Sequence, residues 1–225
     1  ANYESALITL ESIKDLIEES DNKIKAKYFY LRGLASYENG ASSFENKLTS
    51  IKDFNEVIKI EDTSTKIYTS KVNIIISELF NSFVLDGQKF LELKNYKQSS
   101  QNFEAAYRVS SKDTLYLRNA ALVSLEGKNL DRALEYYFEL IELGFTGISM
   151  TYLATEKESN IEQTFQDKQS RDFSVDVIGT HTDPRDVLSE SVEVDILRTV
   201  GAIFREKKDY NQALKYLSKA KEINP

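Results

Sequence analysis

The sequence predicts an all-α fold built from antiparallel helix pairs, with one small insertion that contains β structure. Two observations lead to this prediction. A pattern of residues recurs at a spacing typical of helical repeats, and the 225 residues include two prolines, so long stretches can run helical without interruption. Hydrophobic residues make up 41% of the chain and charged residues 29%, which is the composition of a globular protein.

The recurring pattern combines small and bulky residues in three segments. In each, a helix-capping residue precedes a large apolar residue, and a small residue follows three positions later. A further small residue lies twelve positions before that one. The three pairs of small residues are Gly87 with Ser99, Ala121 with Ala133, and Gly201 with Ala213. Two helices pack closely where small side chains lie at their crossing, so each segment predicts a helix pair. The predicted N-caps of the second helices are Asn95, Asn129 and Asp209.

The spacing of these segments matches a known repeat family. Ser99 and Ala133 are 34 residues apart, which is the period of the tetratricopeptide (TPR) repeat. The pattern resembles the TPR signature over most of the chain. That resemblance implies an α-solenoid of stacked helix pairs, in which the first helix of each pair lines a concave face that binds extended peptides.

We expect residues 1–225 to form a single TPR solenoid domain. Its predicted parts are a partial repeat (1–20), a repeat (24–62), a repeat with an elongated first helix (65–110), a repeat (113–145), an insertion (146–191) and a last repeat (192–225). The small residues at 40–43 predict a longer loop, with Asn46 as the N-cap of the next helix. The first part has the pattern of a second helix, which predicts that a first helix and an export signal precede it.

The insertion adds 46 residues to the spacing between the last two helix pairs. Two β-prone runs, 151–155 and 161–165, flank a polar turn and predict a short hairpin. Residues 167–177 are expected to form a short helix. The turn-rich run 179–186 is expected to form a loop.

The insertion also carries a second resemblance. Its start at 143–147, its Arg171-Asp172 pair and its Gly-Thr-His loop ending at Pro184 are similar to a segment of uncharacterised exported TPR proteins of Bacteroidota bacteria. This resemblance favours a periplasmic or cell-envelope location and implies no particular activity. A cytoplasmic location stays open, because a chain without cysteine suits reducing and oxidising compartments alike.

Composition excludes several functional classes. With 29 Lys and Arg against 36 Asp and Glu, the formal net charge is −7, which argues against binding nucleic-acid phosphates. The absence of cysteine excludes disulfides, thiol nucleophiles and thiolate metal sites, and the single histidine excludes multi-histidine metal sites. No apolar run approaches the ~20 residues of a membrane span. We therefore expect no enzyme activity, no cofactor, no nucleic-acid partner and no membrane insertion of this segment.

One cluster keeps a metal-dependent alternative open. His181 lies near Asp183 and Asp186, and imidazole with carboxylates can ligate zinc or iron. Such a set would make the chain a metal-dependent enzyme or sensor. The competing interpretation is structural: Asp183 caps a turn before Pro184, and His181 packs or hydrogen-bonds locally.

The TPR resemblance implies a non-catalytic scaffold that binds a peptide or protein partner through the concave face and the insertion. Large side chains with directional hydrogen bonds are typical anchors of such a face. The candidate binding residues are Tyr30, Tyr37, Gln88, Arg118, Arg198 and Arg205. Each tyrosine has an alternative role in packing, and each arginine an alternative as a solvated surface cation. A different class of function is a structural component of a bacterial cell-envelope assembly, with the ends of the repeat array as interfaces.

Overall fold

The computed structural model describes residues 2–39 and 43–224, so residues 40–42 of the predicted loop at 40–43 lie outside it. The predicted helical fold of antiparallel helix pairs, with a small β insertion before the last helix pair, is confirmed. Its helices are α1 (Tyr3–Ser12), α2 (Lys14–Glu18), α3 (Asn22–Asn39), α4 (Phe44–Asp62), α5 (Thr69–Glu92), α6 (Tyr96–Val109), α7 (Thr114–Glu126), α8 (Leu130–Glu142), α9 (Lys168–Asp172), α10 (Glu193–Glu206) and α11 (Tyr210–Ile223). Its strands are β1 (Met150–Glu156), β2 (Glu162–Phe165) and β3 (His181–Leu188).

The chain divides into two compact units. The N-terminal unit comprises Ala1–Tyr136 and the C-terminal unit Tyr137–Pro225, so the division falls within α8. Every helix among the described residues is too short or too polar to cross a lipid bilayer.

The N-terminal unit is built from helix pairs that cross at small residues. Helix α3 packs on α4, and α5 packs on α6. A Cβ added to Gly33 would lie 2.7 Å from the ring of Phe54, and one added to Gly87 would lie 2.8 Å from the ring of Phe103. These distances are shorter than a carbon–carbon contact, so the two crossings depend on glycine. They confirm the crossing role that the sequence pattern assigns to Gly87.

The three predicted N-caps are confirmed. Asn95 Oδ1 accepts from the backbone N–H of Gln98. In the same way, Asn129 Oδ1 accepts from the N–H of Arg132, and Asp209 Oδ1 accepts from the N–H of Gln212. The prediction of Asn46 as a cap is wrong, because Ser43 precedes the first helical residue of α4 and its Oγ accepts from the N–H of Asn46. Asn46 lies inside the first turn, where its own N–H is the group in need of a partner.

Buried charged groups join the helices of the N-terminal unit. Arg32 in α3 donates through Nε and Nη2 to the two oxygens of Asp53 in α4, at 2.9 and 2.6 Å. The amine of Lys47 in α4 donates to Asp86 and Ser82 of α5 at 2.6 and 2.7 Å. Each contact joins two helices that follow one another in the chain, so the two contacts fix how successive helices face each other.

Helix α5 begins on a buried carboxylate. Glu61 at the end of α4 accepts hydrogen bonds from the backbone N–H groups of Tyr68 and Thr69 and from the hydroxyl of Thr69. Burial opposes its charge, but these hydrogen bonds outweigh it, so the pKa of Glu61 is lowered below its ordinary value. The start of α5 therefore depends on an ionised side chain from the preceding helix.

The C-terminal unit contains the last helix pair and the insertion. A Cβ on Gly201 of α10 would lie 2.7 Å from Leu217 of α11, which repeats the glycine crossing of the N-terminal unit. The rings of Phe138, Phe204 and Tyr216 stack on one another with centroids 5.8 to 6.1 Å apart. These rings join the end of α8 to α10 and α11.

The insertion is a three-stranded antiparallel sheet in the order β2-β1-β3. The predicted hairpin is confirmed as β1 and β2, and the predicted short helix as α9 followed by a π-helical turn at Phe173–Val177. The prediction of a loop at 179–186 is wrong for most of its length, because β3 begins at His181. Its turn residues Asp183, at φ 51°, and Pro184 fall where the β1–β3 register shifts, so a bulge accommodates them within the strand.

Candidate protein-interaction site

Two first helices of the N-terminal unit each carry a row of exposed or half-buried side chains on one side. We call this set the first-helix face. Its members are Ile74, Asn81, Leu85 and Gln88 of α5, and Leu115, Arg118 and Leu122 of α7. Successive members are separated by three, four or seven residues, so each helix presents them on one side. Phe80 and Tyr116 pack edge to face at 5.3 Å between the two helices, which places α5 and α7 side by side.

The apolar members of the first-helix face are well exposed. Ile74, Leu85, Leu115 and Leu122 keep between 41% and 63% of their surface accessible. On the same helices Leu79, Phe83 and Leu117 are fully buried. The same helices therefore bury one stripe completely and leave a second apolar stripe open.

Two of the predicted binding residues lie on this face. Gln88 is exposed and Arg118 is half-buried. Within the described part of the chain, Arg118 has no ion-pair partner. Its guanidinium is thus available for a carboxylate or for carbonyl oxygens of another chain.

Tyr30 and Tyr37 instead join neighbouring first helices. The ring of Tyr30 in α3 stacks on Tyr68, just before α5, at 4.4 Å, and the Tyr37 hydroxyl donates to Glu78 of α5 at 3.1 Å. Burial and then this hydrogen bond raise the pKa of Tyr37. Both side chains act in packing within the unit, and their part in partner binding stays a prediction.

Arg198 and Arg205 belong to the C-terminal unit. They are exposed on α10, seven residues and so about two turns apart. Arg198 lies 3.8 Å from Asp195, one turn earlier in the same helix. A solvated ion pair at this distance contributes little to the free energy of unfolding, so Arg198 can exchange Asp195 for another acceptor at little cost.

A groove on the second helices was not predicted from the sequence. It has a volume of about 660 Å³ and runs along α6 between Phe44 and Leu48 of α4 and the start of α8. At its centre Glu104 accepts from Arg132 Nη2 at 2.5 Å and from the Tyr136 hydroxyl at 2.7 Å. Arg132 also donates from Nε to that hydroxyl at 2.8 Å.

The charges around Glu104 satisfy one another. Burial and the hydrogen bond to Glu104 raise the pKa of Tyr136. Burial opposes the charge of Arg132, but its hydrogen bonds to Glu135 and Glu104 raise its pKa. Because the Arg132 and Tyr136 donors already have acceptors, this network holds α6 against α8. The sequence shows that Arg132 and Tyr136 lie one helical turn apart, but it does not show that both contact Glu104.

The structure places His181 in a packed environment. Its two ring nitrogens lie 2.9 Å from the Thr180 hydroxyl and 3.2 Å from the amide oxygen of Gln163, and its ring packs edge to face on Phe165. Asp186 pairs with the buried Arg171 instead. No group of three metal-ligating side chains occurs within residues 2–39 and 43–224. The structural interpretation of His181 therefore accounts for this cluster.

Comparisons with known proteins give remote structural likeness alone. No protein-family model and no curated protein sequence matches the chain. A structure titled "Crystal structure of MamA" is 11% identical with a TM-score of 0.36, and the match covers 95% of this chain and 85% of that one. "MamA 41-end from Desulfovibrio magneticus RS-1" is 15% identical with a TM-score of 0.35, over 99% and 85% of the two chains. Superpositions of this quality transfer no residue position to this chain.

Proposed function

We propose that this chain is a non-catalytic protein-interaction module that binds a peptide or protein partner on its first-helix face. The observation that carries the proposal is the open apolar stripe of Ile74, Leu85, Leu115 and Leu122 above a filled core. Exposed apolar side chains gathered on one face mark interaction sites more often than scattered ones do.

The polar members of the face suit a polypeptide ligand. Asn81 and Gln88 each offer an amide that can donate to and accept from a peptide backbone. Arg118 lies between Leu115 and Leu122 on α7 and adds a cation to that stripe. Apolar side chains interspersed with amide and guanidinium groups are common in protein interfaces. The partner segment is therefore expected to be apolar, with a carboxylate that meets Arg118.

The experiment that tests this proposal first captures the partner at a defined position. A photo-crosslinking amino acid replaces Gln88 in the protein expressed in its native host, and a second version carries it at the exposed Lys52 of α4. A polypeptide crosslinked from position 88 and absent from position 52 is the candidate partner. The purified pair is then titrated with variants of the first-helix face.

Leu85→Asp and Leu122→Asp are expected to weaken binding at least ten-fold each, because each places a charge in an apolar contact. Arg118→Ala is expected to weaken it three- to ten-fold. Leu214→Asp is the matched control, since Leu214 of α11 is 68% exposed and lies in the other unit. Equal affinity of all four variants and the parent protein would contradict the proposal, as would equal crosslinking from both positions.

A further inference from the structure

The two edge strands of the insertion sheet differ in how well they can pair with another strand. Strands β2 and β3 form the edges of the sheet, on either side of β1. On β3, Pro184 has no N–H to donate, and Asp183 lies where the β1–β3 register shifts. Proline and bulges are common devices that protect an edge strand from pairing. Strand β2 keeps a regular register with β1 and contains neither proline nor lysine.

The backbone of β2 directs two residues away from β1. The N–H of Glu156 in β1 donates to the carbonyl oxygen of Ile161, immediately before β2, at 2.9 Å. Alternate residues of an antiparallel strand bond to the same side, so Gln163 continues this ladder with β1. Glu162 and Thr164 therefore direct their N–H and C=O groups toward the outer edge of the sheet.

The side chains along this edge suit contact with a second strand. Ile161 is 62% exposed, and Glu162 and Thr164 are exposed as well. Phe165 at the far end of β2 is half-buried. The carboxylate of Glu162 already pairs with Arg185 of β3. The edge thus has an apolar residue at each end, and the charge between them is neutralised within the sheet.

We propose that β2 pairs antiparallel with β2 of a second copy of this chain, with Gln163 of each copy at the two-fold axis. In this register Ile161 lies opposite the partner's Phe165, and Glu162 lies opposite the partner's Thr164. The backbone groups of Glu162 and Thr164 exchange hydrogen bonds with those of the second copy. The edge is therefore complementary to itself, because apolar residues meet apolar residues and the carboxylate meets an uncharged residue. The two sheets become one continuous sheet.

The two neighbouring registers that use the same backbone groups are less favourable. One sets Glu162 opposite itself, which brings two carboxylates together across the axis. The other sets Thr164 opposite itself and places Ile161 opposite the partner's Asp167, so an apolar side chain faces a carboxylate. The register through Gln163 avoids both contacts and is the one that covers Ile161 with an aromatic ring.

This inference goes beyond the proposed function, because it concerns the C-terminal unit and a second copy of the chain. Each copy contributes one short strand, and interfaces that bury little surface are weak and transient. The pairing is therefore measured at high protein concentration. The purified chain is used without any other partner, so the result does not depend on the first-helix face.

A cysteine at the two-fold axis tests the register. The chain has no cysteine, so Gln163→Cys gives each copy a single thiol. In the proposed register the two thiols lie opposite each other in a non-hydrogen-bonded pair, where side chains are closest and a disulfide can form. A covalent dimer is expected at least ten times faster than from Glu158→Cys, which is exposed in the turn between β1 and β2. Equal rates, or a faster rate from Thr164→Cys, would contradict the proposal.

A proline at the outer edge tests the backbone pairing. Thr164→Pro removes an outward N–H and leaves the ladder with β1 in place, and Thr164→Val is the matched control that keeps this N–H. The dimer dissociation constant is measured by analytical ultracentrifugation. Thr164→Pro is expected to raise it at least ten-fold, and Thr164→Val to leave it unchanged. Circular dichroism checks that both variants retain the fold.

A second variant leaves the backbone of β2 unchanged. Ile161→Lys alters an exposed side chain and is expected to weaken the dimer at least ten-fold, because it places a cation against the partner's Phe165. A parent protein that stays monomeric at every concentration would overturn the proposal, as would equal dimerisation of Thr164→Pro and Ile161→Lys with the parent. A monomer whose Gln163→Cys variant captures another polypeptide in the native host would show that a different partner occupies the edge, and the proposal is then wrong.

Discussion

The hydroxyl of Ser99 donates a 2.7 Å hydrogen bond to the carbonyl oxygen of Gly87, across the point where α6 crosses α5. Both residues are buried, so the bond forms without competition from water. The ring of Phe103 covers the same crossing, close to the missing Cβ of Gly87. A small residue on each helix therefore sets the distance between them.

The first prediction concerns this crossing. Alanine is favoured over glycine inside a helix by about 1 kcal/mol, so Gly87→Ala would be stabilising in an exposed helix. Here the added Cβ lies 2.8 Å from a buried ring, and we expect a net loss of about 1–3 kcal/mol in the free energy of unfolding. Urea denaturation measures it, with Ser77→Ala on the exposed side of α5 as control. A stabilised Gly87→Ala variant would contradict this prediction, because it would mean that α5 and α6 move apart at no cost to accept the added Cβ.

The second prediction concerns the ion pair of Arg32 and Asp53. The carboxylate of Asp53 is 1% exposed, and its hydrogen bond raises the pKa of Arg32. Asp53→Ala leaves Nε and Nη2 of Arg32 without acceptors, while Nη1 still donates to the Tyr28 hydroxyl, and should cost about 3–5 kcal/mol of unfolding free energy. The double variant Arg32→Met with Asp53→Leu should recover part of this loss, since no charge then stays buried. Equal loss in both variants would contradict this account.

The third prediction concerns pH. The pKa of Glu61 is lower in the folded protein than in the unfolded chain, where it is about 4.3. The ionised Glu61 therefore contributes its full stabilisation above the unfolded pKa, and this stabilisation is lost as the pH falls through the folded pKa. Glu61→Gln should therefore lower the free energy of unfolding by about 1–3 kcal/mol at pH 7. The difference from the parent protein should shrink below about pH 4. Denaturation curves at pH 7, 5, 4 and 3 measure it, and a constant difference would exclude an ionised cap.

The fourth prediction concerns the groove on the second helices. Tyr136→Phe removes one hydrogen bond to Glu104 and one from Arg132, and should cost about 1–3 kcal/mol of unfolding free energy. The double variant Arg132→Ala with Tyr136→Phe should cost less than the sum of the single variants, because both residues serve the same carboxylate. Strictly additive losses would show that Glu104 does not couple them.

Local features of the fold could be predicted from the sequence. The helix pairs follow from small residues at fixed spacing, and the N-caps from Asn95, Asn129 and Asp209, because both signals act within one or two helices. Strand β3 was missed because Asp183 and Pro184 suggest a turn. A bulge opposite β1 is what allows them in a strand, and it depends on a partner strand distant in sequence.

Features of the candidate sites depended on tertiary contacts. Tyrosine is a common residue type in binding sites, but Tyr30 and Tyr37 contact a neighbouring part of the unit instead. Whether a first-helix residue faces a neighbouring helix depends on the angle between the helices, and residue spacing does not determine that angle. The groove around Glu104 required a contact with Arg132, 28 residues away. The open stripe with Gln88 and Arg118 was partly predicted, since helical periodicity fixes which residues share a side.

The amine of Lys47 has a chemical consequence. Among the described residues it is the one buried lysine, held by Asp86 and Ser82 and lying over the ring of Phe83. An acylating reagent needs a free amine with room for attack, so every exposed lysine should be modified while Lys47 is still intact. The acylation rate of Lys47, measured by mass spectrometry, therefore reports how often α4 separates from α5.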